Sequence, residues 1–220
     1  AMGKTGAREL NYISDVDVIY VAQAGVDQDE RVALEVATRL AAATASACSG
    51  PGTEAPLWTV DANLRPEGRN GALVRTVGSY RQYWDKWAQT WEFQALLKAR
   101  ACAGDEVIGR AFEDAAQPYV WSAATREGFV EAARAMRRRV EDNISRSYAS
   151  RELKLGRGGL RDVEFTVQLL QLVHGRTDAF LRVRSTLEAI EALRDGGYIA
   201  RSDADQLASC YRFLRAVEHR

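Results

Sequence analysis

The chain has 220 residues, and its 30 lysines and arginines equal its 30 aspartates and glutamates in number. This length suits one large domain or two small ones, and the zero formal charge argues against nucleic-acid binding as the main function. Three scattered cysteines predict reduced thiols rather than a disulfide framework or a zinc site. Without an apolar run near the roughly 20 residues of a membrane span and without a visible signal peptide, we expect a soluble cytoplasmic protein.

The first predicted element is a strand that carries two carboxylates. Ser14-Asp15-Val16-Asp17 leads into the apolar run Val18-Ile19-Tyr20-Val21, and residues two apart on a strand point to the same face. Such a pair is also common in solvated turns and helix caps. Here, however, a small turn, Gly3-Lys4-Thr5-Gly6, precedes it and allows the backbone to approach phosphate. Because neighbouring carboxylates repel unless a cation separates them, and because their oxygens suit Mg²⁺, the pattern predicts metal-assisted phosphoryl or nucleotidyl transfer.

A helix and a second short strand follow. The alanine-rich segment 29–49 has Val32, Val36 and Leu40 at helical spacing, which predicts a helix. The side chains of residues 57–65 alternate in character, which predicts a strand, and this strand carries a third acid. The three acids are expected to form a carboxylate cage for two metal ions about 3.5–4 Å apart. The members of this cage are Asp15, Asp17 and Asp61.

Residues 73–77 predict one more short strand, and residues 79–103 predict one long helix. Five aromatic residues lie three or four apart along one side of this helix. This spacing favours an aromatic core against the sheet over a stacking platform for bases. The five are Tyr80, Tyr83, Trp84, Trp87 and Trp91.

After Gly104 the sequence predicts helices only, with apolar stripes typical of a packed bundle. We therefore expect two domains, 1–104 and 105–220. A cluster of four arginines within 134–139 is interpreted as a solvated helix face, with an acidic partner or a phosphate as the alternative. The predicted helices cover 106–116, 126–148, 160–174, 183–193 and 202–220.

A glycine-rich turn, Gly156-Arg157-Gly158-Gly159, leads into the helix predicted from Leu160. Such a turn at a helix N-terminus can hold an anion. On the same helix Glu164, Gln168 and Gln171 form a polar stripe among valines and leucines. The stripe predicts either a face towards a cleft or another domain, or simple exposure to solvent.

Four ordered motifs resemble those of the bifunctional glutamine synthetase adenylyltransferase/adenylyl-removing enzymes, which belong to the polymerase-β-like nucleotidyltransferases. The resemblance implies an α+β fold, in which a nucleotidyltransferase domain with a small mixed sheet precedes an all-α helical bundle. It also implies that the chain is a fragment of a longer protein, truncated at both ends. The four motifs occupy residues 3–17, 60–66, 91–100 and 154–165.

The resemblance implies an enzyme that removes AMP from a tyrosine of glutamine synthetase by Mg²⁺-dependent phosphorolysis, releasing ADP. Glu9-Leu10-Asn11 and the segment 154–165 are most like the amino-terminal, adenylyl-removing half of the family. The alternatives are the half that attaches AMP from ATP and a non-catalytic regulatory module. The implied partners are glutamine synthetase, ATP, ADP, phosphate and a PII-type signalling protein, with neither nucleic acid nor membrane.

The resemblance also implies roles for individual residues. Asp15, Asp17 and Asp61 are expected to be catalytic and to bind the metal. Arg65, Lys98, Arg100 and Glu164 are equally compatible with structural ion pairs. One departure from the family pattern concerns the turn, because Ala7 follows Gly6 where members often carry a second glycine, and alanine disfavours positive φ. The residues expected to bind nucleotide or phosphate are Gly3, Lys4, Gly6, Ser14, Arg65, Lys98 and Arg100, with Glu9, Lys154 and Glu164 in supporting roles.

Overall fold

The computed structural model describes residues 1–50, 58–142, 144–145 and 151–219. The chain divides into two compact units, Ala1–Tyr119 and Val120–Arg220. The division falls inside a helix, Glu106–Ser122, whereas the sequence predicts a domain boundary at 104/105, which stays a prediction.

The first unit combines short parallel strands with helices, which confirms the predicted α+β class. The strand β1 (Val16–Asp17) pairs with β3 (Val60–Asp61), and β2 (Tyr20–Val21) pairs with β4 (Val74–Arg75), both in parallel. The described strands thus form two two-stranded parallel sheets where one mixed sheet was expected. The elements are α1 (Gly3–Gly6), β1 (Val16–Asp17), β2 (Tyr20–Val21), α2 (Glu30–Ser49), β3 (Val60–Asp61), β4 (Val74–Arg75), α3 (Val77–Lys86), α4 (Thr90–Leu96) and α5 (Glu106–Ser122).

Helix α2 confirms the predicted helix to within one residue. The Asp29 carboxylate accepts a hydrogen bond from the Val32 N–H at 3.0 Å, which caps the first turn. The apolar stripe of the helix is nevertheless exposed, since Val32, Val36 and Leu40 keep 47%, 42% and 63% of their surface in solvent. The small residue Ala41 is buried instead.

The single long helix predicted over 79–103 is wrong, because the chain forms α3 and α4 with a break between them. Gln89 is extended, with φ −86° and ψ 159°, and begins a new helix. Its N–H donates to Glu92 Oε1 at 2.9 Å, one half of a capping box that starts α4. The helix ends at Leu96, so Lys98 and Arg100 lie beyond it.

The predicted aromatic core forms in part. Tyr80 and Trp84 are buried, and their rings lie 5.0 and 5.5 Å from that of Phe112 on α5. The Tyr80 hydroxyl also reaches the Tyr20 carbonyl on β2 at 3.4 Å. Trp87 is 69% exposed, because the chain leaves the helical path at this residue.

The regular elements in the described part of the second unit are all helices. Its core is built mainly from its last three long helices, within 160–218, and both Leu193 and Leu181, the latter in the short turn Ala179–Leu181, are fully buried. The helix predicted over 126–148 begins later, at Phe129, and ends at Asp142; residues 143 and 146–148 lie outside the described part. The helices of this unit are α6 (Phe129–Asp142), α7 (Leu160–His174), α8 (Thr186–Asp195) and α9 (Arg201–Glu218).

No helix in the described part of the chain combines the length and apolar character needed to cross a bilayer.

Candidate active site

Asp17 and Asp61 are direct partners in the pairing of β1 with β3. The Val16 N–H donates to the Thr59 carbonyl and the Val18 N–H to the Asp61 carbonyl, both at 2.8 Å. Because partners in register point to the same face of a sheet, the two carboxylates project from one side. Asp15 was predicted to share this strand, but it immediately precedes β1 and is exposed.

The three aspartates do not form a finished cage. Among the described residues, no three histidine, cysteine, aspartate or glutamate side chains are grouped so that they could hold a metal ion. The Asp61 Oδ1 atom accepts a hydrogen bond from the Asn63 N–H at 2.6 Å. The three-carboxylate cage stays a prediction, because the side chains as they stand are not grouped around a common point. The backbone register still presents carboxylates of the kind that hard divalent cations prefer.

The turn α1 lies against the Asp17 side chain. A Cβ atom at Gly3 would overlap Asp17 Oδ2, and Gly3 has a positive φ of 50°. The Met2 N–H donates to the Asp17 carbonyl at 2.8 Å, which ties the start of the turn to β1. Glycine is required at position 3 both for this close approach and for its backbone angle.

The alanine at position 7 has an ordinary backbone conformation. Ala7 has a φ of −77°, so it avoids the positive φ expected to be unfavourable there. Arg8 adopts the left-handed conformation instead, with a φ of 61°. A non-glycine residue in this conformation is uncommon and marks a tight backbone reversal.

The segment after α4 supports α1 from behind. A Cβ atom at Gly6 would overlap the Lys98 carbonyl oxygen. Arg100 donates from Nε to the Gly6 carbonyl and from Nη2 to the Thr5 carbonyl, both at 3.1 Å. Because the Arg100 guanidinium donates to two carbonyls of the turn, these contacts favour a structural role for Arg100 over direct binding of an anionic substrate.

Lys98 also has a structural partner. Its Nζ atom lies 3.0 Å from Glu9 Oε2, and the two side chains are 8% and 13% exposed. The Glu9 N–H donates to the Lys4 carbonyl at 2.8 Å. This buried ion pair connects the loop after α1 with the segment after α4.

Arg65 and Ser14 bind backbone carbonyls close to the acids. Arg65 donates from Nη1 to the Ala62 carbonyl at 2.8 Å and from Nε to the Gly71 carbonyl at 3.1 Å, which closes the loop after β3. The Ser14 hydroxyl donates to the Asp15 carbonyl at 3.3 Å. Lys4 is half-buried on the turn.

Sequence reasoning missed three buried polar atoms in the first unit. Thr5 Oγ1, Asn11 Oδ1 and Arg75 Nε are buried and have no hydrogen-bond partner among the described residues. Arg75 does use its other nitrogens, because Nη2 lies 2.6 Å from Glu67 Oε2 and Nη1 donates to Ser79 Oγ at 3.3 Å. The sequence signal that could have identified Thr5 and Asn11 was their position next to residues predicted to belong to the site.

In the second unit, the polar stripe of α7 is buried, which rules out solvent exposure as its explanation. Glu164, Gln168 and Gln171 are only 6%, 8% and 3% exposed. Glu164 Oε2 lies 3.7 Å from Arg161 Nη1. Lys154, the other supporting residue predicted in this unit, is exposed.

The glycine-rich turn before α7 is held by Arg137, a member of the arginine cluster predicted to be a solvated face. Arg137 donates to the Leu155 and Gly156 carbonyls at 3.1 and 3.2 Å and pairs with the Asp162 carboxylate. The other Asp162 oxygen accepts from the Gly158 N–H at 2.6 Å. The Arg137 guanidinium holds the pKa of Asp162 below its usual range, with help from the Gly158 N–H and against the effect of burial.

Comparison with known proteins shows the family. The family model of glutamate-ammonia ligase adenylyltransferase matches residues 1–115. The chain belongs to this family. Residues 134–220 match the model of GlnD PII-uridylyltransferase.

Individual relatives align along the whole chain and carry the same name, bifunctional glutamine synthetase adenylyltransferase/adenylyl-removing enzyme. The proteins of Streptomyces coelicolor and Cutibacterium acnes are 59% and 57% identical to it, and that of Bifidobacterium longum is 52% identical. The chain spans about a fifth of the length of these relatives, 21–22%.

Proposed function

We propose that this chain carries a catalytic centre that removes AMP from an adenylylated tyrosine of glutamine synthetase by phosphorolysis, releasing ADP. The observation that supports it most is the in-register pairing of Asp17 with Asp61 on adjacent parallel strands. Gly3 brings the α1 turn against the Asp17 carboxylate, so the acids that would hold a cation lie beside a turn of the kind whose backbone N–H groups can contact phosphate. The names of the relatives support glutamine synthetase as the substrate.

The donor set of the proposed centre is compatible with Mg²⁺. Asp15, Asp17 and Asp61 supply only carboxylate oxygens, the ligand type that this ion prefers. When bound, the ion neutralises the charge of the reacting phosphate and stabilises the leaving tyrosyl oxygen. Asp17 and Asp61, which are half-buried, and Asp15, which is exposed, would hold the ion.

Phosphate recognition belongs, in this proposal, to the α1 turn and its surroundings. Lys4 is the cation of the turn, and Gly3 and Gly6 allow the turn to approach its neighbours closely. Lys98 and Arg100 act indirectly, since their polar groups hold Glu9, Thr5 and Gly6. Pre-organised supports of this kind lower the cost of reorganisation during the reaction.

The second unit contributes recognition or regulation in this proposal. Its match to the PII-uridylyltransferase model supports a PII-type protein as a regulator. Within this unit Glu164 is buried and Lys154 is exposed, and their supporting roles stay predictions. The substrates ATP, ADP and phosphate are consistent with a cytoplasmic reaction.

The proposal is tested with Asp17→Asn and Asp61→Asn, and with Asp114→Asn as the matched control. Asp114 is an exposed aspartate on α5 and has the same side chain without the paired strand. Adenylylated glutamine synthetase is supplied with phosphate and Mg²⁺, and ADP formation is followed. We expect each site variant to lose about a hundredfold or more in rate, as when a transition-state contact is removed, while the control keeps its rate.

The direction of the reaction is decided in the same preparation. Unmodified glutamine synthetase is supplied with ATP, and incorporation of AMP is followed without added phosphate. ADP formation that depends on phosphate supports removal, whereas incorporation of AMP alone contradicts it. Full activity of both site variants in either direction would exclude Asp17 and Asp61 from the chemistry.

A further inference from the structure

The loop that leads into the acids exposes two large apolar side chains in succession. Tyr12 is 88% exposed and Ile13 is 95% exposed. Single exposed apolar residues are ordinary on a protein surface. Two adjacent ones beside the proposed catalytic centre form a small apolar surface that a binding partner can cover. Ile13 is two residues from Asp15, so their Cα atoms lie within about 7 Å of each other along an extended chain.

Both ends of this loop are anchored. On one side Asn11 is only 5% exposed and Glu9 is held by Lys98 at 3.0 Å. On the other side β1 begins at Val16, whose N–H donates to the Thr59 carbonyl at 2.8 Å. The exposed pair is therefore presented by a short segment with fixed ends, which lowers the entropic cost of binding.

We infer that Tyr12 and Ile13 dock the folded protein that bears the adenylylated tyrosine, by packing against its surface next to the modified side chain. This inference rests on the proposed function. A nucleotide, a phosphate and a metal ion are polar and give an apolar pair nothing to bury against. A protein substrate whose modified tyrosine reaches Asp15 and Asp17 must bring its own surface within a few ångström of this loop.

Aromatic side chains such as Tyr12 carry much of the binding energy at protein interfaces. The loop then serves affinity for the protein, and the acids serve the chemical step. The two roles are separable, because Tyr12 and Ile13 provide no carboxylate and no phosphate ligand.

The test uses the protein at its full encoded length with the double substitution Tyr12→Ser and Ile13→Ser. Phe180→Ser is the matched control, since Phe180 is an apolar residue that is 87% exposed outside the loop. Binding to immobilised adenylylated glutamine synthetase is measured without phosphate, so the readout does not depend on turnover. We expect the Kd to rise about tenfold or more in the double variant and to stay unchanged in the control.

Turnover provides the second readout. At saturating glutamine synthetase, kcat of the double variant should match that of the wild type, while KM rises with the Kd. The conservative pair Tyr12→Phe and Ile13→Leu should retain wild-type affinity, because the apolar surface remains. Circular dichroism should show an unchanged fold, since both side chains lie outside the core.

Three results would overturn the docking role. They are an unchanged Kd in the double variant, an equal loss in the Phe180→Ser control, and a fall in kcat with no change in Kd. Failure of the proposed function has a different signature, since the wild type would then bind glutamine synthetase without forming ADP.

Discussion

Lys98 Nζ lies 3.0 Å from Glu9 Oε2 and joins two residues that are 89 positions apart in the chain. Both side chains are largely buried, at 8% and 13% exposure. The pair fastens the loop after α1 to the segment after α4. Lys98, predicted to bind the anionic substrate, and Glu9, predicted in a supporting role, are thus structural partners of each other.

Removal of one member of this pair should destabilise the first unit. Lys98→Met leaves the Glu9 carboxylate buried without its cation, which costs about 3 kcal/mol in free energy of unfolding. The measurement is urea denaturation at neutral pH. Lys86→Met, at an exposed lysine in the last turn of α3, should change stability little.

A double variant tests whether the two charges act as a pair. Lys98→Met combined with Glu9→Met leaves no isolated buried charge, so it should lose less stability than the sum of the single changes. Strictly additive losses would contradict the direct coupling of Glu9 and Lys98.

Gly6→Ala should disturb the α1 turn. The added Cβ atom would overlap the Lys98 carbonyl oxygen, and a backbone atom has no rotamer by which to move away. We expect a loss of about 1–3 kcal/mol in free energy of unfolding, the range for an overpacked site.

The matched control is Gly78→Ala on α3. A Cβ atom there has its nearest neighbour, Thr76 Oγ1, at 3.8 Å, which is ordinary contact. Because Gly78 lies in the first turn of α3, alanine should raise the free energy of unfolding by no more than the roughly 0.5–1 kcal/mol expected in the middle of a helix. An equal effect of the two alanines, measured by the same denaturation, would refute the close packing of Gly6.

The contribution of Asp162 to stability should depend on pH. Its pKa is lowered in the folded state, chiefly by the Arg137 hydrogen bond. Its contribution is therefore fully present above the unfolded-state pKa of about 3.9 and is lost as the pH falls through the lower, folded-state pKa. Asp162→Asn should cost about 1–2 kcal/mol at pH 7, given the charged hydrogen bonds and the partial exposure of the carboxylate.

Urea denaturation at pH 7 and below pH 3 separates this effect from others. The difference between wild type and Asp162→Asn should shrink on acidification, because the wild-type carboxyl then becomes neutral as well. Asp203→Asn, at an exposed position in the first turn of α9, is the control and should show a small difference at both pH values. A constant difference for Asp162→Asn would mean that its charge is not involved.

Gln171 should be essential to the packing of the second unit. Its Nε2 atom donates to the Leu181 and Val183 carbonyls at 2.7 and 2.9 Å, and the residue is 3% exposed. Gln171→Met keeps the volume but removes the donor from two carbonyls, at a cost of about 2–3 kcal/mol in free energy of unfolding. Thermal and urea denaturation measure this loss.

The control for Gln171 is Gln206→Met on α9, where the glutamine is exposed. It should alter stability by less than about 0.5 kcal/mol. Comparable losses in the two variants would show that the buried hydrogen bonds of Gln171 add little.

Local sequence signals predicted some elements well. Residues 160–174 were predicted as a helix and form α7 with those bounds, because glycines stand immediately before and after a long apolar pattern. Helix α2 was found for a similar reason, since Asp29 is a good N-cap and the alanine-rich stretch favours helix. The prediction of one helix over 79–103 was wrong because the aromatic residues keep their helical spacing across Gln89, where a new helix begins.

In the candidate site, too, local sequence patterns predicted some features and missed the long-range contacts. Apolar β-branched neighbours and an alternating segment predicted strands at the acids, and the register of β1 with β3 brings Asp17 and Asp61 together, while Asp15 lies just before β1. The sequence offered no sign that Arg100 binds the Thr5 and Gly6 carbonyls. The burial of the α7 polar stripe was likewise one of two open alternatives.

By itself the sequence determined the element types, the α+β class and the family, because these depend on local periodicity, capping residues and ordered motifs. Only the tertiary structure decided that Lys98 and Arg100 hold the backbone and the loop around α1. The reason is physical: the partner of a side chain such as Lys98 or Arg100 is about 90 residues away in the chain, and a pairing over that separation depends on how the intervening elements pack.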